Sequence, residues 1–147
     1  MGRITTHVLD TAAGRPAAGM KVVLTRLDAT PEAVAVAVTN ADGRVDRPLL
    51  EGAAFAAGHY EIMFHVGDYF RARGVALGEP PFLDLVPLRF GVAEDAHYHV
   101  PLLVSPFAYS TWSTGTATFA SSPLRNACSS SGPPPAAGSP AGEARFR

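Results

Sequence analysis

Three histidines and one arginine are the residues of this chain whose types and spacing could do chemistry. His97 and His99 stand two apart in the segment His97-Tyr98-His99-Val100-Pro101-Leu102-Leu103-Val104. In an extended strand alternate side chains share a face, so His97, His99, Pro101 and Leu103 fall together, opposite Tyr98, Val100, Leu102 and Val104. Two histidines beside apolar residues are unusual on a solvated face, and the outward leucine hints at cover from a partner subunit. Residues 4–10 repeat the pattern: Thr6 and Val8 belong to a core face, and Thr5, His7 and Leu9 to an outer one. Arg44 follows an Asn-Ala-Asp-Gly turn at residues 40–43 and could reach the same outer surface.

Two chemistries fit such a set. His7, His97 and His99 could bind zinc as three imidazoles, although no nearby carboxylate pattern supplies a second shell. Alternatively, an imidazole takes a proton from water as general base while the arginine stabilises the negative charge that develops. Histidine suits this role because its ordinary pKa lies near about 6.5. The chain carries no glycine-rich phosphate loop, no Gly-x-Ser-x-Gly elbow and no His-Glu-x-x-His motif. His59 and His65 read as ordinary surface histidines, His97 as a solvated or supporting residue, and Trp112 as an anchoring aromatic.

The elements that must position these residues read as short strands. Residues 4–10, 20–27, 33–39, 59–66, 82–92, 96–104 and 107–112 are β-branched, aromatic or alternating, with turn signals between them. Only residues 68–73, closed by Gly74, read as helical. Some seven short strands predict an all-β antiparallel sandwich with one short helix. The alanine-rich run at 33–38 stays a strand because its valines recur at period two.

Composition divides the chain into a folded domain at 1–112 and a divergent tail at 113–147. In the last 27 residues Ser, Pro and Gly supply 14, which reads as a disordered extension with Cys128 inside it. A single cysteine excludes an internal disulfide framework and a multi-cysteine metal site. The 12 basic residues against 13 acidic ones, for a net charge of −1, leave no footprint for nucleic acid or anionic lipid. No apolar run approaches the roughly 20 residues that cross a bilayer, and the polar start is unlike a secretory signal. The simplest expectation is a soluble, cytoplasmic domain.

Three segments together resemble the 5-hydroxyisourate hydrolases, the enzyme branch of the transthyretin-related family. They are Ile4-Thr5-Thr6-His7-Val8-Leu9-Asp10 leading to Gly14-Arg15-Pro16-Ala17, then Asp42-Gly43-Arg44, and then the run from His97 through Pro106 to Thr111. The resemblance covers residues 4–111. It implies a transthyretin-like sandwich of about seven to eight strands, assembled as a homotetramer with active sites in clefts at the subunit interface. It also implies hydrolytic ring opening of the small molecule 5-hydroxyisourate to a ureidoimidazoline, in the route from urate to allantoin, with no metal or organic cofactor. Position by position, His7, Arg44 and His99 match the family's catalytic residues. The histidines would polarise and deprotonate water, and His7 and Arg44 would also hold the substrate.

The resemblance departs from the family at its end. The family closes Tyr-Ser-Thr-Tyr-Arg-Gly-Ser, whereas here Tyr109-Ser110-Thr111 is followed by Trp112-Ser113-Thr114-Gly115. Trp112 keeps an aromatic wall for the substrate without a phenol hydroxyl, and Ser113 stands where an arginine is expected. The alternatives are therefore an inactivated hydrolase or a transthyretin-like ligand-binding module without catalysis. The presence of His7, Arg44 and His99 argues against a hormone carrier.

Overall fold

Period-two burial runs through the first strand. In β1 (Arg3–Asp10) Ile4, Thr6, Val8 and Asp10 are buried while Thr5, His7 and Leu9 stay half-exposed on the other face. The computed structural model describes residues 1–113. After β1 come β2 (Arg15–Pro16), β3 (Lys21–Arg26), β4 (Glu32–Val38) and β5 (Leu50–Glu51). Then follow β6 (Gly58–His65), the helix α1 (Val66–Ala72), β7 (Leu85–Val92), β8 (His97–Val104) and β9 (Tyr109–Ser110). One sheet runs β2-β1-β8-β9 with β5 also on β1, and the other runs β4-β3-β6-β7.

The two sheets enclose one core. Ile4, Val8, Leu102 and Val104 on one side meet Val22, Leu24, Ile62 and Phe64 on the other, all of them fully buried. Burying such side chains contributes about 1.5–3 kcal/mol each, which makes the sandwich a rigid support for its outer faces. Buried polar side chains on β1 are hydrogen-bonded. The Thr6 hydroxyl donates to the Val100 carbonyl at 2.8 Å, and the Tyr69 hydroxyl donates to the Asp10 carboxylate at 2.8 Å, tying α1 to the end of β1. Burial and the Asp10 carboxylate push the Tyr69 phenol up to about 12.

The expected sandwich is present, with local differences. All strand pairs are antiparallel except β1 with β8, which run parallel with Thr5 opposite His99 and His7 opposite Pro101. The strand expected over 82–92 starts only at Leu85, because the Asp84 carbonyl is engaged by the Gly67 amide at the start of the helix. The helix expected at 68–73 begins at Val66 and ends before Gly74, whose φ of 74° suits a glycine after a helix end. The final strand expected over 107–112 shrinks to Tyr109–Ser110. Ser105 holds a turn there, its hydroxyl oxygen accepting from the amides of Phe107 and Ala108. The tail from residue 114 on, Cys128 included, lies outside the described residues.

Candidate active site

The outer face of β1 and β8 gathers the histidines. Parallel pairing sets Thr5 beside His99, and the two-residue period of β8 brings His97 to the same side. The Thr5 hydroxyl lies 2.8 Å from His97 Nε2 and 2.8 Å from His99 Nδ1, bridging the two rings. The rings of His7 and His99 are 6.4 Å apart, centre to centre, and those of His97 and His99 are 6.2 Å apart. Thr5 is the residue that pattern reading did not single out. Alternation places it on the histidine face, but its bridging position follows from the parallel register, which alternation does not specify.

Arg44 arrives from a separate segment. The turn at residues 40–43 is closed by Asn40, whose side-chain oxygen accepts from the amides of Asp42 and Arg44 at 2.9 and 3.2 Å. The loop is then stitched to the free edge of β1. The Val8 amide donates to the Gly43 carbonyl at 2.8 Å, and Arg44 forms a β-bridge with His7. The edge that β2 and β5 leave open in the middle of β1 is thus used to carry the cation, which also blunts an exposed sheet edge.

The electrostatics favour neutral imidazoles. Burial, and then the Arg44 guanidinium, hold His7 below its ordinary value, with the backbone and carboxylate of Asp42 pulling the other way. Burial holds His99 below its ordinary value, helped by Arg44, His7 and His97. His97 is lowered by burial and by Arg3. A neutral imidazole at neutral pH can accept a proton, and a guanidinium beside it can hold an anion.

Trp112 is placed differently. It lies 47 % exposed and, with Tyr98, His99, Thr111 and Ser113, lines a cavity of about 340 Å³ between β7 and β8. The Thr111 hydroxyl donates to the Pro101 carbonyl at 2.7 Å and anchors this segment. Trp112 and His99 thus share this cavity, while His7 and Arg44 do not line it. His59 pairs with Asp28 at 3.1 Å and His65 faces Asp68 at 3.8 Å, both apart from the site. Among the described residues no three His, Cys, Asp or Glu side chains converge as metal ligands, so the zinc set of His7, His97 and His99 is not assembled.

A two-sheet sandwich that presents two neutral imidazoles and a guanidinium on one outer face has the make-up of a small acid–base hydrolase. Residues 4–114 match the sequence profile of the HIUase/Transthyretin family, and the chain belongs to that family. It is 63 % identical over 113 residues to 5-hydroxyisourate hydrolase 2 of Rhizobium meliloti, covering 76 % of this chain and 94 % of that one. Among solved structures, (S)-allantoin synthase superposes with a TM-score of 0.73 at 47 % identity. That match covers 76 % of this chain but only 43 % of the synthase. The Klebsiella pneumoniae 5-hydroxyisourate hydrolase superposes with a TM-score of 0.65 at 33 % identity, over 77 % and 98 % of the two chains.

Proposed function

We propose that the protein hydrolyses 5-hydroxyisourate, opening its ring as a step in urate breakdown, with His7, His99 and Arg44 as the catalytic group. The observation that carries this reading is the meeting of two lowered-pKa imidazoles and a guanidinium on the outer face of β1 and β8. The naming of the Rhizobium meliloti relative as a 5-hydroxyisourate hydrolase supports the choice of substrate.

In this mechanism a histidine takes a proton from water as the water oxygen bonds to a ring carbonyl carbon. Arg44 holds the oxygen on which negative charge collects, and its planar donor fork suits a flat, oxo-substituted ring. When the carbon–nitrogen bond breaks, the protonated imidazole returns its proton to the leaving nitrogen. Trp112 supplies an aromatic wall on the His99 side. The half-buried Leu9 and Leu103 on the same outer face suit cover by a partner subunit, and we infer a homotetramer whose clefts lie there. Among the described residues no helix is long and apolar enough to cross a membrane, and a cytoplasmic location accords with the reaction.

Decay of freshly generated 5-hydroxyisourate, followed by ultraviolet absorbance with and without the protein, tests the reading. Accelerated decay that disappears in His7→Ala and His99→Ala supports it. Decay no faster than in buffer overturns it, and ligand binding without turnover would then mark a transthyretin-like binding module.

A further inference from the structure

The Thr5 hydroxyl has a single hydrogen and two imidazole neighbours, each at 2.8 Å. With both rings neutral, the bridge allows only two arrangements. In one, Thr5 donates to His97 Nε2 and accepts from His99 Nδ1–H, so His99 Nε2 carries a lone pair. In the other, Thr5 donates to His99 Nδ1 and accepts from His97 Nε2–H, so His99 Nε2 carries a hydrogen. The first makes His99 a base at Nε2 and the second makes it an acid there.

We infer that Thr5 and His97 are positioning residues that set the tautomer of His99 and carry away the proton it takes up. This rests on the hydrolase reading above and deepens it. The atoms balance as follows. His99 Nε2 gains a proton from water; Nδ1 passes its own proton to Thr5 Oγ, whose hydrogen moves to His97 Nε2. The positive charge then sits on His97, and reversal of the same three transfers returns a proton to Nδ1 as Nε2 gives its own proton to the leaving nitrogen. The site's other charged groups favour this direction. Burial, Arg44 and then His7 oppose a positive charge on His99, whereas His97 faces burial and, among charged groups, Arg3 of the neighbouring strand.

Thr5 is half-exposed and outside the core, so Thr5→Val keeps the shape and β-branching while removing the bridge. Thr5→Ser keeps the hydroxyl. In the relay, Thr5→Val lowers kcat by about tenfold or more, a modest part of what acid–base catalysis supplies, with KM little changed and the acid limb of the pH–rate profile moved. Thr5→Ser restores both. Nitrogen-15 shifts of the imidazoles read the tautomers without any substrate. The wild type should show His99 protonated at Nδ1, and Thr5→Val should lose that preference while its backbone spectrum stays native. A His99 already protonated at Nε2 in the wild type, or a Thr5→Val variant with unchanged tautomers and pH profile, overturns the relay. Because the spectra require no turnover, they separate failure of the relay from failure of the hydrolase reading.

Discussion

Gly43 presses its Cα against the carbonyl of Val8, and this approach brings the next residue, Arg44, alongside His7. A Cβ at Gly43 would stand 2.3 Å from the Val8 oxygen, 3.1 Å from Pro16 Cβ and 3.2 Å from the Ala17 amide nitrogen. Its φ of 71° lies in the left-handed region as well. The turn can pack against β1 only where the side chain is a hydrogen.

Gly43→Ala should therefore affect both stability and activity. The obstructing atom is backbone, so relief requires the loop to leave β1, at about 1–3 kcal/mol of stability. Turnover should fall further than the thermal midpoint implies, because Arg44 moves with the loop. Melting curves and kcat/KM measured on the same preparation check this, and a loss of stability with full turnover would contradict it.

Lowered histidine pKa values set the sign of the pH dependence. Neutral His7 and His99 are the working forms, so kcat/KM should hold on a plateau at neutral pH and fall with acidification below about 6.5. Stability follows the same sense. Between the ordinary value of 6.5 and the lowered folded values the unfolded chain binds more protons, so the contribution of these groups is full above 6.5 and is lost as pH falls through the folded values. Rate and melting temperature recorded across pH 5–8 should decline together on the acid side.

Arg44 acts on the histidines through its charge and on the substrate through its shape. Arg44→Ala should raise the pKa of His7 and His99 and move the acid limb of the rate profile upward. Arg44→Lys should leave that limb in place yet lower kcat/KM, because an ammonium cannot offer a planar pair of donors. Histidine titrations by NMR beside steady-state kinetics distinguish the two effects.

Tyr69→Phe is the control for fold without site. It removes the donor to the buried Asp10 carboxylate and should lower stability by about 1–3 kcal/mol, with turnover per folded molecule unchanged. Denaturant unfolding and activity at low denaturant check it.

At the other end of the site, Trp112→Tyr together with Ser113→Arg should raise kcat/KM by returning a cation and a phenol beside His99. An equal or lower rate would mean that the native ending already completes the cleft.

Much of this site is visible in the sequence because strand geometry is so regular. Alternation alone separates Ile4, Thr6 and Val8 from Thr5, His7 and Leu9, and Val100, Leu102 and Val104 from His97, His99 and Leu103. What alternation does not carry is register and direction. The parallel alignment of β1 with β8 decides that Thr5, rather than His7, meets both His97 and His99. Nor does it reveal where strands stop. Ser105 holds a turn through Ala108 with side-chain hydrogen bonds, and Asp84 is engaged by Gly67, so two apolar runs that look like strands are shortened. Trp112 belongs to the segment beyond the first of these, and of the three catalytic candidates it shares a cavity with His99 and not with His7 or Arg44.

The pairing of β1 with β8 joins parts of the chain made at very different times. Thr5 and His99 are 94 residues apart, and closing so long a loop costs about 4 kcal/mol of chain entropy before any contact compensates. A nascent chain still lacking β8 has His7 and Arg44 but neither His97 nor His99. The imidazole pair thus comes into existence only once synthesis has passed residue 99 and the sandwich has closed around its core. Regain of turnover during refolding should consequently lag behind the regain of strand signal, making the activity itself a report that the two ends of the domain have met.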